Sequence, residues 1–156
     1  MESYMIKKAT VEDVHEIVKL RRIMFESMGY TNKNQLEKAD ISAERYFYES
    51  FQNKSFHGWV AKTAAGNIIS TVGAVIDQHP PGPSNLSGKI AYIMNLCTIH
   101  EYRRQGIACE LMKTAIEWIK QNDLSVISLH STDMGRKLYE QLGFTNTNEM
   151  RLIVSG

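Results

Sequence analysis

Apolar residues recur along this chain with two periods, one of two residues, typical of strands, and one near 3.6, typical of helices. The first period predicts strands at Tyr4–Lys8, Phe56–Thr63, Ile68–Ile76, Lys89–Ile99, Val126–His130 and Met150–Val154. The second predicts helices between Thr10 and Gly29, from Ser42 onward, over Cys109–Lys120 and over Gly135–Leu142, with Tyr30–Asp40 irregular. The order β-α-α-β-β-β-α-β-α-β predicts an α/β fold: a single domain over residues 1–156, with a mixed central sheet and helices on both faces.

Lys89–Ile99 is predicted to be a central strand because both of its faces are largely apolar. A helix connects it to Val126–His130, and such a crossover gives a parallel, right-handed pair. Asn95 interrupts one apolar face. A buried amide needs hydrogen-bond partners, so Asn95 either stabilises the core or faces a ligand. All three prolines fall in Gln78–Gly88, which predicts an exposed loop that is either a functional lid or a tolerated excursion.

Composition and charge exclude several classes of function. The net charge is +1, so we expect no binding to nucleic acid or to an anionic membrane, and any anion site must be local. No apolar run approaches the roughly 18 residues of a membrane helix, and the first residues lack the pattern of a signal peptide. Cys97 and Cys109 provide neither a disulfide framework nor zinc spacing, so we expect no metal and a cytoplasmic protein.

The first candidate for chemistry is the turn Arg103–Ala108, which joins the central strand to a helix and contains one glycine. Such a junction leaves several backbone N–H groups unpaired and directs them, with the positive end of the helix, at one point. Arg103 and Arg104 add positive charge beside those donors. The turn therefore predicts a site for a phosphate-bearing ligand, although an ordinary surface turn with incidental charge has the same pattern.

The second candidate is the stretch His130–Phe144, which follows the strand predicted to lie beside Lys89–Ile99. If Thr132 opens the helix, helical spacing brings a hydroxyl, a glycine, an arginine and a tyrosine onto one face: Thr132, Gly135, Arg136 and Tyr139. Because the two strands are neighbours, we expect Tyr139 to approach the crevice onto which the glycine turn opens.

Together, the two stretches resemble the GNAT superfamily of acetyl-CoA-dependent N-acetyltransferases. The glycine motif of that family, Arg/Gln-x-x-Gly-x-Gly/Ala, is matched by Arg103, Gly106 and Ala108. Its second signature, a short helix ending Leu-Tyr-x-x-x-Gly-Phe, is matched by Leu138, Tyr139, Gly143 and Phe144. Three positions depart from the common pattern: His100 replaces a proline, Ala108 the second glycine and Thr132 an asparagine. None of these changes removes an obvious catalytic group.

The resemblance implies acetyl-CoA as acyl donor and a primary amine of a small molecule or peptide as acceptor. It also implies a sheet that splays beside Leu96–Thr98, where the pantetheine arm would run, a backbone N–H near Leu96 that stabilises the oxyanion, and Tyr139 as general acid for the leaving thiolate. The expected donor site comprises Leu96, Cys97, Thr98, Arg103, Arg104, Gln105, Gly106, Ile107, Ala108, Thr132, Gly135, Arg136 and Tyr139.

The acceptor side is less defined. Arg21 lies on the apolar stripe of the first helix, either as a snorkelling side chain or facing a cleft, and with Asn95 it is our candidate for acceptor binding. An arginine there would suit an amine that carries a carboxylate. The candidates for the general base are a water chain and five side chains: Glu26, His57, Asp77, His79 and His130. Cys109, at a helix start, raises the alternative of an acyl-cysteine route.

Three alternative classes of function are compatible with an α/β domain of this size. An acyl-CoA sensor without catalysis would have the same fold, although the presence of Tyr139 argues against it. The turn lacks both Gly-x-x-x-x-Gly-Lys-Ser/Thr and Gly-x-Gly-x-x-Gly, so phosphate-loop and dinucleotide-binding proteins are disfavoured. Nothing in the charge pattern recommends a structural or interaction module. The sequence leaves a homodimer open.

Overall fold

The computed structural model describes residues 2–155. Its strands are β1 (Tyr4–Lys8), β2 (Phe56–Thr63), β3 (Ile68–Gln78), β4 (Lys89–Thr98) and β5 (Ile127–Leu129). Its helices are α1 (Val14–Ser27), α2 (Lys33–Gln52), α3 (Ile107–Gln121) and α4 (Arg136–Gln141), with short 3-10 turns at Val11–Asp13 and His100–Tyr102. The predicted α/β class and the order of these elements are confirmed.

The five strands form one sheet in the order in which they occur along the chain. Neighbours from β1 to β4 are antiparallel, and β4 and β5 are parallel, as expected for two strands joined by a helix. One face of the sheet packs against α3 through residues such as Leu111 and Met112, and the other packs against α1 and α2 through Ile17 and Phe47. The sheet is therefore mixed and covered on both faces, as predicted.

Helix α2 begins earlier than the sequence predicted. Residues from Lys33 to Asp40 are helical, so the prediction of an irregular Tyr30–Asp40 was wrong over most of its length. The Asn32 side chain caps the helix by accepting a hydrogen bond from the Gln35 N–H at 3.1 Å, and Leu36 anchors the first turns in the core. A single buried leucine in a polar stretch gives little periodic signal, which is why the sequence pattern missed these turns.

The last predicted strand, Met150–Val154, is not formed, and that prediction was wrong. Its apolar side chains are exposed: Met150 by 93%, Leu152 by 83%, Ile153 by 77% and Val154 by 87%. A branched, apolar composition supplies strand propensity, but a strand also needs a partner edge to complete its hydrogen bonds. In the part of the chain that the structure describes, β5 ends the sheet and no strand pairs with its outer edge.

Candidate active site

A cleft opens where β4 and β5 separate. The two strands pair through three residues each, from Ala91 with Ile127 to Ile93 with Leu129, and β4 then continues to Thr98 without this neighbour. The cleft has a volume of about 900 Å³. Its walls come from the free part of β4, the glycine turn, the last turns of α1 and the start of α4. The splay that the family resemblance implied beside Leu96–Thr98 is therefore present.

A β-bulge at Asn95 shapes the inner wall of this cleft. Between the pairs Thr71–Cys97 and Gly73–Met94, the register shifts by one residue, so that Asn95 and Leu96 together face one residue of β3. Asn95 has a left-handed backbone, with φ of 58°, a conformation that asparagine tolerates better than most residues. The bulge takes the backbone of Asn95 and Leu96 out of the regular ladder at the edge of the cleft.

The glycine turn forms the second wall. Gly106, with φ of 83°, precedes α3, and the first intrahelical bond runs from the Glu110 N–H to the Gly106 carbonyl. The N–H groups of residues 107–109 therefore have no intrahelical partner, and the positive helix end adds to their attraction for anions. A Cβ atom on Gly106 would meet no protein atom within 4 Å. Because Gly106 lines the cleft, that free space is space for a ligand.

Arg103 braces the glycine turn against the neighbouring elements. Its Nε donates to the Thr98 carbonyl at 3.0 Å, and its Nη2 donates to the Ser27 hydroxyl of α1 at 3.3 Å. Arg104 is exposed, has φ of 60° and also lines the cleft. Of the two arginines, Arg104 is thus the one whose side chain is free to follow a bound anion.

Tyr139 stands on the opposite wall, on α4. Its ring covers Gly135, which has no side chain to obstruct it, and lies edge-on to Phe144 with the ring centres 6.0 Å apart. The Thr132 hydroxyl accepts a hydrogen bond from the Gly135 N–H at 3.2 Å and closes the turn before the helix. Burial raises the pKa of the Tyr139 hydroxyl above its ordinary value, so this group is protonated at neutral pH.

Most of the residues expected at the donor site line this one cleft: Leu96, Cys97, Thr98, Arg103, Arg104, Gly106, Ile107, Ala108, Thr132, Gly135 and Tyr139. Asn95 lines it as well. Gln105 does not, because its side chain turns back to donate to the Glu101 carbonyl at 3.3 Å. Arg21 lies behind the lining and reaches it through Asn95, whose Oδ1 accepts from the Arg21 Nε at 3.1 Å.

Of the face predicted for α4, Thr132, Gly135 and Tyr139 line the cleft and Arg136 lies outside it. The regular helix begins at Arg136, and the turn before it is already wound like the helix, because the Arg136 N–H donates to the Thr132 carbonyl at 3.0 Å. The Arg136 guanidinium donates to Asn146 at 3.0 Å and forms an ion pair with Glu140 at 3.5 Å. It lines a groove of about 480 Å³ beyond β5, which shares His130 and Tyr139 with the cleft.

The wall supplied by α1 was missed by sequence reasoning. Met24, Ser27 and Met28 line the cleft, although helical spacing places both methionines on the apolar stripe of the first helix, which is typical of core positions. Met28 is 47% exposed, a value that fits a cleft wall better than a core position. Contacts between residues far apart in the chain bring this helix to the cleft, among them that of Ser27 with Arg103.

The candidate bases and thiols differ in their access to the cleft. His130 lines it, whereas the other four candidate bases, Glu26, His57, Asp77 and His79, lie outside its lining. His57 packs on Trp118 with ring centres 4.4 Å apart, and burial, helped by the charge of Lys8, lowers the pKa of its imidazole. Burial raises the pKa of Cys97 to about 11, while Cys109 is a free, partly exposed thiol in the lining.

The chain matches the family model described as the acetyltransferase (GNAT) family over residues 16–144, well over half of its length. It belongs to the GNAT acetyltransferase family. Among solved structures, it is 26% identical to a GCN5-related N-acetyltransferase from Ralstonia eutropha, with a TM-score of 0.91, 99% of this chain covered and 100% of that one. It is 25% identical to a predicted acetyltransferase from Clostridium acetobutylicum solved with acetyl-CoA, with a TM-score of 0.87, 97% of this chain covered and 96% of that one.

Curated relatives of this GNAT protein are longer. It is 28% identical to the mouse probable N-acetyltransferase family 8 member 5 over 74% of its own length and 47% of the relative's. It is 27% identical to human N-alpha-acetyltransferase 30 over 79% of its length and 32% of the relative's. The chain thus spans less than half of the length of these proteins. Within residues 2–155, no helix combines the length and apolarity needed to cross a membrane.

Proposed function

We propose that this protein transfers an acetyl group from acetyl-CoA to a primary amine of a small molecule or peptide by direct attack of the amine. One observation carries the proposal: the glycine turn and Tyr139, whose motifs are separate in the sequence, form opposite walls of one cleft beside the free part of β4. Acetyl-CoA supplies an activated thioester carbonyl. The one-domain organisation over residues 1–156 and a cytoplasmic location belong to the same proposal.

The glycine turn is proposed to hold the pyrophosphate of the donor. The N–H groups of residues 107–109 are free of intrahelical bonds, and the helix end favours negative charge. The missing side chain of Gly106 leaves room for phosphate oxygens at the backbone. Arg104 supplies a positive charge at the same place. The side chain of Gln105 turns toward Glu101, but its backbone N–H belongs to the same turn and is proposed to donate to the pyrophosphate.

The free part of β4 is proposed to hold the pantetheine arm. Leu96, Cys97 and Thr98 line the cleft where β5 has left the sheet, so their outward backbone groups can bond an extended ligand. The bulge takes Leu96 out of the ladder with β3, which supports its N–H as the donor to the carbonyl oxygen while that oxygen gains negative charge. The thioester would then lie at the inner end of the cleft, beside Asn95.

Tyr139 is proposed as general acid. The new C–N bond forms as the C–S bond breaks, and the departing sulfur takes the proton of the Tyr139 hydroxyl. Its raised pKa keeps that proton in place at neutral pH. Gly135 and Thr132 are proposed to hold the tyrosine in position, since the first gives its ring room and the second closes the turn beneath it. Arg136, which faces the outer groove, has no part in this mechanism.

The amine must lose a proton before or during attack. His130 is the proposed acceptor of that proton because, of the five candidates, it lines the cleft; a water chain is the alternative. An acyl-cysteine route would require the thiol of Cys109. We expect the Cys109→Ser variant to keep the turnover of the wild type, which would exclude that route.

A homodimer is proposed because the apolar segment Met150–Val154 is exposed and the outer edge of β5 is unpaired within residues 2–155.

The test is an acetyl-CoA consumption assay over amino acids, polyamines, aminoglycosides and peptide N-termini, with calorimetric binding of acetyl-CoA measured alongside. We expect tight binding and release of free thiol with at least one amine class. Binding without turnover on the whole panel would favour the second candidate, a non-catalytic acyl-CoA sensor. Absence of acetyl-CoA binding would contradict both.

A further inference from the structure

Asn95 leaves a buried hydrogen-bond donor without a partner at the inner end of the cleft. The residue is 8% exposed, and its Oδ1 accepts the hydrogen bond from Arg21. Its Nδ2 is buried and has no protein partner. Leaving such a donor unpaired costs about 1–3 kcal/mol, and buried side-chain donors in folded proteins are almost always paired. Because Asn95 lines the cleft, an acceptor-side ligand can supply the missing oxygen.

Arg21 carries a positive charge next to that donor and forms no direct ion pair among residues 2–155. Its guanidinium lies over the Phe25 ring at 4.7 Å and is half-buried, and burial lowers its pKa. Arg22, its neighbour, has a carboxylate partner, with Nη2 2.8 Å from Asp40 Oδ2. Asp40 also acts on Arg21, since its charge partly offsets the lowering of the Arg21 pKa, but it makes no direct contact with that guanidinium. A half-buried charge without a direct ion pair is unfavourable in the empty protein and favourable once an anion binds.

Three features identify the anion as a carboxylate. Arg21 donates from Nε to Asn95 Oδ1, and this charged donor polarises the amide so that its Nδ2 is a better donor to an anionic oxygen. Arg21 supplies a single positive charge, since Arg22 is neutralised by Asp40, and one charge matches a carboxylate better than a phosphate dianion. Asn95 adjoins Leu96 in the chain, so an anion bound here lies close to the proposed reaction centre. The carboxylate and the amine of an amino acid are separated by a similarly short distance.

We propose that Arg21 and Asn95 form a subsite for the carboxylate of the acceptor, so that the substrate is an amino acid or a similar amine bearing a carboxylate. This inference rests on the proposed acetyl transfer and adds the class of acceptor to it. Asn95 Nδ2 donates to a carboxylate oxygen, Arg21 supplies the opposite charge from behind the lining through its bond to Asn95, and the amine then faces the cleft beside Leu96.

The first test compares amino acids with the same molecules lacking the carboxylate: L-phenylalanine with phenethylamine, L-lysine with cadaverine and β-alanine with ethylamine. For every pair in which both members react, we expect the wild-type KM of the carboxylate member to be at least tenfold lower. Equal KM values within the accepted pairs would overturn the subsite and leave the acetyltransferase proposal intact.

The second test changes the subsite without removing its arginine. Asn95→Asp has nearly the same shape, tolerates the same left-handed backbone and gives Arg21 a permanent carboxylate partner. We expect the KM ratio within each pair to fall at least tenfold in Asn95→Asp and in Arg21→Gln. Lys19→Gln is the control, since it removes one exposed charge from the same helix and should leave the ratio unchanged. An unchanged ratio in Asn95→Asp would overturn the inference even if Arg21→Gln failed to fold.

Binding separates failure of the subsite from failure of the reaction. If acetyl-CoA binds but no amine of the three pairs reacts, the amino acids are titrated calorimetrically into protein saturated with CoA. Binding to the wild type that is weakened at least tenfold in Asn95→Asp would support the subsite although acetyl transfer had failed. Absence of amino-acid binding to the CoA-saturated wild type would overturn the inference.

Discussion

The ring of Tyr139 lies directly over Gly135, so closely that a Cβ atom on Gly135 would be 2.7 Å from Tyr139 Cε2 and 3.1 Å from its hydroxyl oxygen. Ordinary contacts begin near 3.4 Å. Any side chain at position 135 must therefore move the tyrosine. Gly135 has an ordinary negative φ, so the contact with Tyr139, and not the backbone conformation, explains why a glycine occupies this position.

Gly135→Ala is expected to lower kcat by roughly 10- to 100-fold, since a displacement of about an ångström in a reacting group can cost that much. The affinity for acetyl-CoA, measured by calorimetry, should change little, because the turn that holds the pyrophosphate is on the other wall. Gly82→Ala is the matched control: it has room for a Cβ and no positive φ. A kcat of wild-type size in Gly135→Ala would mean that Tyr139 tolerates displacement and does not act on the substrate.

Tyr139→Phe keeps the ring and removes the hydroxyl. We expect kcat to fall by about 10²–10⁴, the usual contribution of a general acid, while the melting temperature and the affinity for acetyl-CoA stay near those of the wild type. The measurement is thiol release at saturating acetyl-CoA with an accepted amine. Unchanged turnover would assign the proton transfer to another group or to water.

The pH dependence follows from the raised pKa of Tyr139. A general acid works in its protonated form, so its contribution is present below its pKa and is lost as pH rises through it. Because burial places that pKa above the ordinary tyrosine value, the loss caused by Tyr139 must occur above about pH 10. A fall in kcat with its midpoint near pH 8, absent from Tyr139→Phe, would contradict the role or the buried environment of this hydroxyl.

Gly106→Ala tests the phosphate cradle against a control with the same backbone strain. Gly106 and Gly66 have φ of 83° and 88°, and a Cβ on either would meet no protein atom within 4 Å. Both alanine variants should therefore lose a similar free energy of unfolding, about 1–2 kcal/mol for an L-residue in this region. Gly106→Ala alone should weaken acetyl-CoA binding, by tenfold or more, because its methyl group enters the cleft. Equal affinities in the two variants would remove Gly106 from the donor site.

The sequence predicted that the glycine turn and the tyrosine helix would meet, and both line the cleft. This succeeded because right-handed crossovers leave little freedom in how two parallel strands and their helix are arranged. The bulge was not predicted. Ala91 and Ile93 belong to the core under α3, whereas Cys97 belongs to the core under α1 and α2. Because the strand is apolar on both faces, its sequence does not show where the side chains change from one face of the sheet to the other. Asn95, the polar residue at the bulge, was the one signal of that position.

The errors in the site have a common physical source. Arg136 was assigned to the face of Tyr139 from its spacing, but it lies about 100° around the helix from Gly135, and its contacts with Asn146 and Glu140 hold its guanidinium outside the cleft. The α1 wall could not be predicted, because it depends on contacts between residues far apart in the chain, such as that of Arg103 with Ser27, which are 76 positions apart. Local pattern gives the elements, and long-range contacts decide which of their faces meet.

The exposed segment Met150–Val154 predicts self-association. Apolar side chains exposed by 77–93% are unfavourable in water, and a second copy can cover them or pair them with the free edge of β5. We expect the protein to be a dimer by light scattering and Leu152→Asp to be a monomer. Leu86→Asp is the control, since Leu86 is equally exposed, at 83%, but lies in the proline-containing loop. A wild-type protein that stays monomeric at about 100 µM, well above the Kd of a specific dimer, would contradict the prediction.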